Sequence, residues 1–257
     1  MHSFKRILVP TDLSDFEDLA VRYALLFNER LGTRITMLHA QKLSWLGADH
    51  PVGYYFEHAI EAKQLLQARL REYAKRTSPE SAHVKTMFAD DDPRHAILKT
   101  ADEICADLIV MATHGRHGLR RALIGSVAET VLRDARCPVM TVTPRLFAED
   151  EQPAIRTILC PIDSSDVARE SFEEASAIAT AFDAELIVMH VDHGLKGNAA
   201  DRLLAVADDV HADLVVIGTM AERITRFARH AVLTVARKST SLRRDRDLHH
   251  SVVTFAE

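Results

Sequence analysis

Residues 4–40, FKRILVPTDLSDFEDLAVRYALLFNERLGTRITMLHA, lie over residues 155–191, IRTILCPIDSSDVARESFEEASAIATAFDAELIVMHV, without a gap. Pro10, Asp12, Ser14, Asp15 and His39 return as Pro161, Asp163, Ser165, Asp166 and His190. Further on, CADLIVMAT at 105–113 returns as HADLVVIGT at 211–219, and PVMTV at 138–142 as AVLTV at 231–235. Self-similarity of this kind decides the architecture before any single element is assigned. The chain is a tandem repeat whose second copy has lost 45 residues after its second strand and 13 more before its last. The acidic, proline-bounded stretch PRLFAEDEQP at 144–153 reads as the linker. We therefore expect a first domain at 1–143, a truncated second domain at 155–237 and a tail at 238–257.

Within the first copy, short runs rich in Ile, Leu and Val alternate with longer segments of helical period, the pattern of a parallel sheet with crossover helices. It predicts strands near 4–9, 34–40, 83–88, 107–112 and 138–143, and helices near 14–31, 56–78, 92–105 and 126–136. Ser14 is the expected N-cap of the first helix, and Phe16, Leu19, Ala20, Tyr23 and Leu26 form its apolar stripe. The strands are apolar on both faces, so helices are expected on both sides of the sheet. In the second copy, strands are expected near 155–161, 184–190, 213–218 and 230–236, without the second helix and third strand. Such a remnant exposes more edge and needs its partner for cover.

Composition narrows the function classes. The 257 residues are 47% hydrophobic, 27% charged and 6% aromatic, those of a globular chain rather than a disordered or disulfide-scaffolded one. A formal net charge of −5 creates no long-range field for nucleic acid or anionic lipid, so neither is expected as a partner. Cys105, Cys137 and Cys160 are an odd number and sit in or beside apolar runs, which suits buried thiols in a reducing compartment. No apolar run is long enough to span a membrane and the N-terminus lacks signal-peptide anatomy, so a cytoplasmic protein is expected.

In an open α/β sheet, ligands bind beyond the carboxyl ends of the strands where the strand order reverses. The first strand closes on Val9-Pro10-Thr11-Asp12. Asp12 can accept hydrogen bonds from a ribose or base, or it can cap the next helix. The fourth strand runs into Met111-Ala112-Thr113-His114-Gly115-Arg116-His117-Gly118 and, past Arg120 and Arg121, reaches Gly125-Ser126 at a helix start. Glycines admit close approach to phosphate oxygens, and the free N–H groups at a helix start favour an anion. Ser126-Val127-Ala128-Glu129 also fits a capping box with no ligand. No nucleophile–base pair stands out, and the loop lacks the Gly-Lys-Ser/Thr ending of a P-loop. The H-x2-H pairs His114/His117 and His190/His193 have no obvious Cys or carboxylate completing a metal set, although they sit at strand ends. The tail KSTSLRRDRDLHHSVVTFAE reads either as a solvated segment or, through SVVTF, as a strand for an exposed edge.

Together these residues resemble the universal stress protein family, whose nucleotide-binding members carry G-x2-G-x9-G-(S/T) after the fourth strand. Here that pattern reads Ala112-x2-Gly115-x9-Gly125-Ser126, with Pro-Thr-Asp at 10–12 and Leu-His-Ala at 38–40. The resemblance implies tandem open parallel sheets of order 3-2-1-4-5. It also implies ATP or a related adenine nucleotide, with Mg2+ an optional companion, held in the first domain. Carried over, Pro10, Thr11, Asp12 and Ala40 would surround adenosine, and Met111, Ala112, His114, Gly115, Gly125, Ser126 and Val127 would line the phosphates. Ala112 departs from the pattern, and a methyl group there is expected to crowd the phosphates or exclude a positive φ. The second copy has no Gly-Ser pair and no room for the loop, so one site per chain is expected, with the second copy structural or regulatory. The family's last strands commonly pair across a two-fold, which here implies an intramolecular pseudo-dimer through PVMTV and AVLTV and leaves room for a homodimer. A stress-response regulator read by unknown protein partners, a weak ATP-hydrolysing or nucleotidyl-transfer enzyme and a ligand-free scaffold all remain open.

Overall fold

The computed structural model describes residues 4–14, 18–43, 52–113, 124–143, 152–163, 165–191, 199–218, 224–225, 228 and 230–235. In chain order the elements are β1 (Arg6–Pro10), α1 (Asp18–Leu31), β2 (Arg34–Ala40), α2 (Val52–Thr77), β3 (Lys85–Ala89), α3 (Pro93–Glu103), β4 (Leu108–Ala112), α4 (Ser126–Asp134) and β5 (Val139–Val142). The second half supplies β6 (Thr157–Ile162), α5 (Asp166–Phe182), β7 (Glu185–His190), α6 (Ala199–Asp209), β8 (Leu214–Ile217) and β9 (Ala231–Thr234).

All nine strands join one sheet of order β3-β2-β1-β4-β5-β9-β8-β6-β7. The first half carries the expected order 3-2-1-4-5. The second repeats it without a third strand, and α6 stands where α3 stands in the first. Every pairing is parallel except β5 with β9, which is antiparallel and sets Val139 opposite Thr234, Met140 opposite Leu233 and Thr141 opposite Val232. PVMTV and AVLTV thus meet within one chain. This pairing joins the two halves into one sheet, because each ends on an uncharged strand whose backbone groups the other satisfies.

Side chains alternate between two faces along each strand. On one face Ile7, Val9, Leu108, Val110 and Met140 of the first half share a core with Ile158, Cys160, Leu214 and Leu233 of the second, under α1 and α5. The other face is divided: Leu8, Ile109, Met111 and Val139 pack beneath α3 and α4, and Leu159, Val215, Ile217 and Val232 beneath α6. A second recurring device is a carboxylate at the turn before the fourth strand of each copy. Asp107 accepts the backbone N–H groups of Lys5 (2.9 Å) and Arg6 (2.8 Å). Asp213 accepts those of Arg156 (2.7 Å) and Thr157 (2.9 Å). Each carboxylate thereby fixes the register of two neighbouring parallel strands.

Two side-chain caps that the sequence allowed do not form. Helix α1 begins at Asp18, and the Ser14 hydroxyl is buried without a hydrogen-bond partner rather than capping it. Asp12 accepts the Ser14 N–H (2.9 Å) and Leu13 takes φ 64°, so the chain turns sharply as it leaves β1. Helix α4 is capped by Gly125 in extended conformation with no side-chain cap, so the capping box of Ser126 does not form. Boundaries elsewhere shift by a few residues; α2 starts at Val52, and β3 starts late because His83 has φ 48°.

Candidate functional site

Strands β1 and β4 are neighbours, and the chain leaves β1 toward β2 on one side and reaches β4 on the other, so the order reverses between them. Their carboxyl ends carry the candidate residues. Pro10 closes β1. Thr11, buried, is fixed three ways: its N–H donates to Leu38 O (2.8 Å), its hydroxyl accepts the Leu13 N–H (2.9 Å), and its carbonyl accepts from His39 Nδ1 (2.8 Å). That last bond assigns the His39 proton to Nδ1. Asp12 projects from this fixed turn, and Ala40 ends β2 beside it, packed on the face under α3 and α4.

On β4, Met111 faces the α3/α4 side and Ala112 the α1 side. Thr113, which sequence reasoning left unassigned, ties the site together: its N–H donates to Val142 O (3.0 Å) and its carbonyl accepts the Gly125 N–H (2.9 Å). The signal available in sequence was its return as Thr219. The bond brings the start of α4 against the end of β4. A Cβ built on Gly125 would stand 3.3 Å from the Thr113 carbonyl, tighter than ordinary contact, which accounts for glycine there. Because Gly125 offers no capping side chain, the first-turn N–H groups from Ser126 to Ala128 face outward with the positive end of the helix dipole. Ser126 is exposed, and Val127 is half-buried against the α3/α4 core. Pro10, Thr11, Asp12, Ala40, Met111, Gly125, Ser126 and Val127 thus gather along one sheet edge, whereas His114, Gly115, His117 and the arginines at 116, 120 and 121 lie outside the described residues. This edge offers two different chemistries: backbone donors at a helix start, which favour an anion, and across the strand gap the Asp12 carboxylate, an acceptor for hydroxyl or amide donors.

Ala112 does not behave as its departure from the motif suggests. Its methyl sits in the core on the α1 side, away from α4, and its φ is not positive. In the second half the aligned residue is Gly218, where a built Cβ would run into Val167 and stand 2.6 Å from the Ser171 hydroxyl of α5. Glycine at this position therefore serves close helix–sheet packing. In the first half Ala20 replaces Ser171 and leaves space for the methyl.

The second half keeps the turn. Asp163 accepts the Ser165 N–H (2.9 Å), and Ser165 caps α5 through Ala168 N–H (3.2 Å). Two of the three cysteines are poor nucleophiles, since burial pushes the thiols of Cys137 and Cys160 up to about 12, with Asp107 adding to the effect at Cys137. No helix among the described residues is long and apolar enough to cross a membrane.

Comparison with known proteins adds to this geometry. The family model described as the universal stress protein family matches residues 3–143. A universal stress protein of Methanocaldococcus jannaschii is 30% identical over 139 residues, covering 54% of this chain and 82% of its own. One from Bacillus subtilis is 27% identical over 146 residues, covering 54% and 99%. Among solved structures, a universal stress protein from Archaeoglobus fulgidus superposes over 90% of this chain and 96% of its own, with TM-score 0.64 at 21% identity. A Pseudomonas aeruginosa protein described as functionally unknown does so over 91% and 93%, with TM-score 0.63 at 18% identity. These two likenesses establish the fold across nearly the whole chain. With the family model covering more than half of its length, the chain belongs to the universal stress protein family.

Proposed function

We propose that the first half binds an adenine nucleotide, ATP or a close relative, between the carboxyl ends of β1 and β4, and that partner proteins read its occupancy in a cytoplasmic stress response. The observation that carries this reading is the Gly125 N–H bond to Thr113 O, which presents an uncapped helix start beside the Thr11–Asp12 turn at the strand-order reversal. In this reading the first-turn N–H groups of α4 hold phosphate oxygens, joined by His114 and Gly115. Asp12 accepts a ribose or base donor, and Pro10, Ala40 and Met111 supply the apolar walls. The nucleotide brings the negative charge that the helix start neutralises, and Mg2+ would accompany it on the phosphate side. Retention suits this reading better than turnover, since no nucleophile–base pair stands out in the sequence and the loop lacks the ending of a P-loop.

The test is titration of purified protein with ATP, alongside mass spectrometry of whatever nucleotide is released on denaturation. One site per chain is expected, with nucleotide recovered unhydrolysed after incubation with Mg2+. Gly125→Val should weaken binding by at least about tenfold, and Ser126→Ala by less, since one hydroxyl is worth about 1 kcal/mol. Two equivalent sites, or a folded Gly125→Val that binds like the parent, would refute the assignment. Steady release of product would favour the enzyme.

A further inference from the structure

Among the described residues, strand β7 ends the sheet and pairs with β6 alone. Its counterpart in the first half, β2, is flanked by β1 and β3 and is buried at five successive positions from Ile35 to His39. In β7 only Val188 is buried; Leu186, Ile187 and Met189 are half-exposed and His190 is exposed. The 45-residue loss has therefore left an apolar strand without an outer neighbour. Backbone polarity shows what that neighbour would meet. The N–H groups of Glu185 and Val191 donate toward β6, to Arg156 O (2.7 Å) and Ile162 O (2.8 Å). Alternation then aims the N–H and C=O groups of Leu186, Val188 and His190 outward. ELIVMH contains no lysine or proline, the residues that usually blunt such an edge, whereas β3 at the opposite end begins with Lys85 and lies beneath α2.

The chain that follows β9 can reach this edge. Strands β9, β8, β6 and β7 run parallel, so residue 236 leaves the sheet at the same end at which β7 finishes. Three strand spacings separate them, about 14 Å. The fifteen residues 236–250 can span about 50 Å. Their charges at 243–247 suit a solvated crossing, and Ser251-Val252-Val253-Thr254-Phe255 follows with no charge and four good strand formers.

We propose that residues 251–255 dock on the outer edge of β7 as an antiparallel tenth strand, replacing the strand that the second copy lost. Its backbone completes the hydrogen bonds of Leu186, Val188 and His190. Val252, Val253 and Phe255 cover the half-exposed apolar side chains. The occupant is this chain's own tail, tethered at high effective concentration, rather than a second copy or a foreign extended peptide.

Hydrogen exchange at the amides of Leu186, Val188 and His190 tests this in three proteins: the full chain, a chain truncated after Arg237, and one carrying Val252→Pro with Val253→Pro. Two consecutive prolines are used because one of two adjacent residues must aim its N–H at β7 in any register. The full chain should exchange at least about tenfold more slowly at these amides than either variant, while β1 and β4 amides stay unchanged. The truncated chain should self-associate with rising concentration, because its edge is uncovered. Equal exchange in all three proteins would overturn the proposal. So would protection that in the full chain grows with protein concentration, which would assign the edge to a second copy.

Discussion

A single methyl group distinguishes Ala112 from Gly218, and the two halves tolerate it differently. Below Gly218 the side chains of Val167 and Ser171 occupy the space that a Cβ would need. Gly218→Ala should therefore destabilise the protein by about 1–3 kcal/mol through overpacking, read as a lower urea midpoint at unchanged slope. Ala112→Gly should cost about 1 kcal/mol, from backbone freedom gained by the unfolded chain and a gap against α1. Because that methyl points away from α4, the same variant should leave nucleotide affinity within about twofold of the parent in a parallel titration. The three cysteines divide equally clearly. Cys105 is exposed, whereas burial raises Cys137 and Cys160 to about 12, so both stay protonated at ordinary pH. A thiol-reactive dye at pH 8 should accordingly label one cysteine per chain rapidly and the other two only on unfolding.

Helix starts separate what pattern alone can predict from what neighbouring groups decide. Asp92 caps α3 by accepting Arg94 N–H (2.9 Å), and Ser165 caps α5, so each replacement by Ala should cost about 1 kcal/mol in chemical denaturation. Ser126 stands one residue inside α4 and is exposed, so Ser126→Ala should change stability by less than about 0.5 kcal/mol. A capping reading of Ser14 and Ser126 was reasonable on residue type. At Ser14 the hydroxyl finds no partner, although the equivalent Ser165 caps α5 with its N–H held by Asp163 in the same way. At Ser126 the helix is capped one residue earlier by Gly125, whose N–H bonds Thr113 O. The repeat extends to backbone handedness that sequence does not display. Cys105 (φ 48°) and His211 (φ 51°) end equivalent helices, as Gly32 (φ 65°) and Asp183 (φ 54°) end another pair. Only one of these four left-handed positions carries the expected glycine, because hydrogen-bonded helix ends impose the conformation on whatever residue stands there.

At the scale of the whole molecule, the shared core makes the halves one cooperative unit. Phe27 of α1 meets Phe182 of α5 edge-on at 5.0 Å and Phe4 at 5.5 Å, beneath the continuous sheet. Tyr23 of α1 is buried close enough to Asp213 of the second half that burial first, and that carboxylate second, raise its phenol well above its ordinary value. Calorimetry should show a single transition whose van't Hoff and calorimetric enthalpies agree. Leu233→Ala, opposite Met140 at the β5–β9 seam, should cost about 2–5 kcal/mol and move that transition without splitting it. Two resolved transitions would mean that the seam is weaker than its burial implies.

What the sequence determined by itself is the content of each half: the repeat, the parallel strands and the residues along the β1 and β4 edge, to which the family resemblance added the order 3-2-1-4-5. These were legible because periodicity of apolar residues and self-similarity are properties of the chain alone. Tertiary structure decided how the parts meet. It set the antiparallel register of β5 on β9, turned the Ala112 methyl toward α1, chose Gly125 as a cap through Thr113 and left β7 with one neighbour among the described residues. Each of these depends on groups brought together from distant positions, whose competition for hydrogen bonds and space is settled only once the chain has folded.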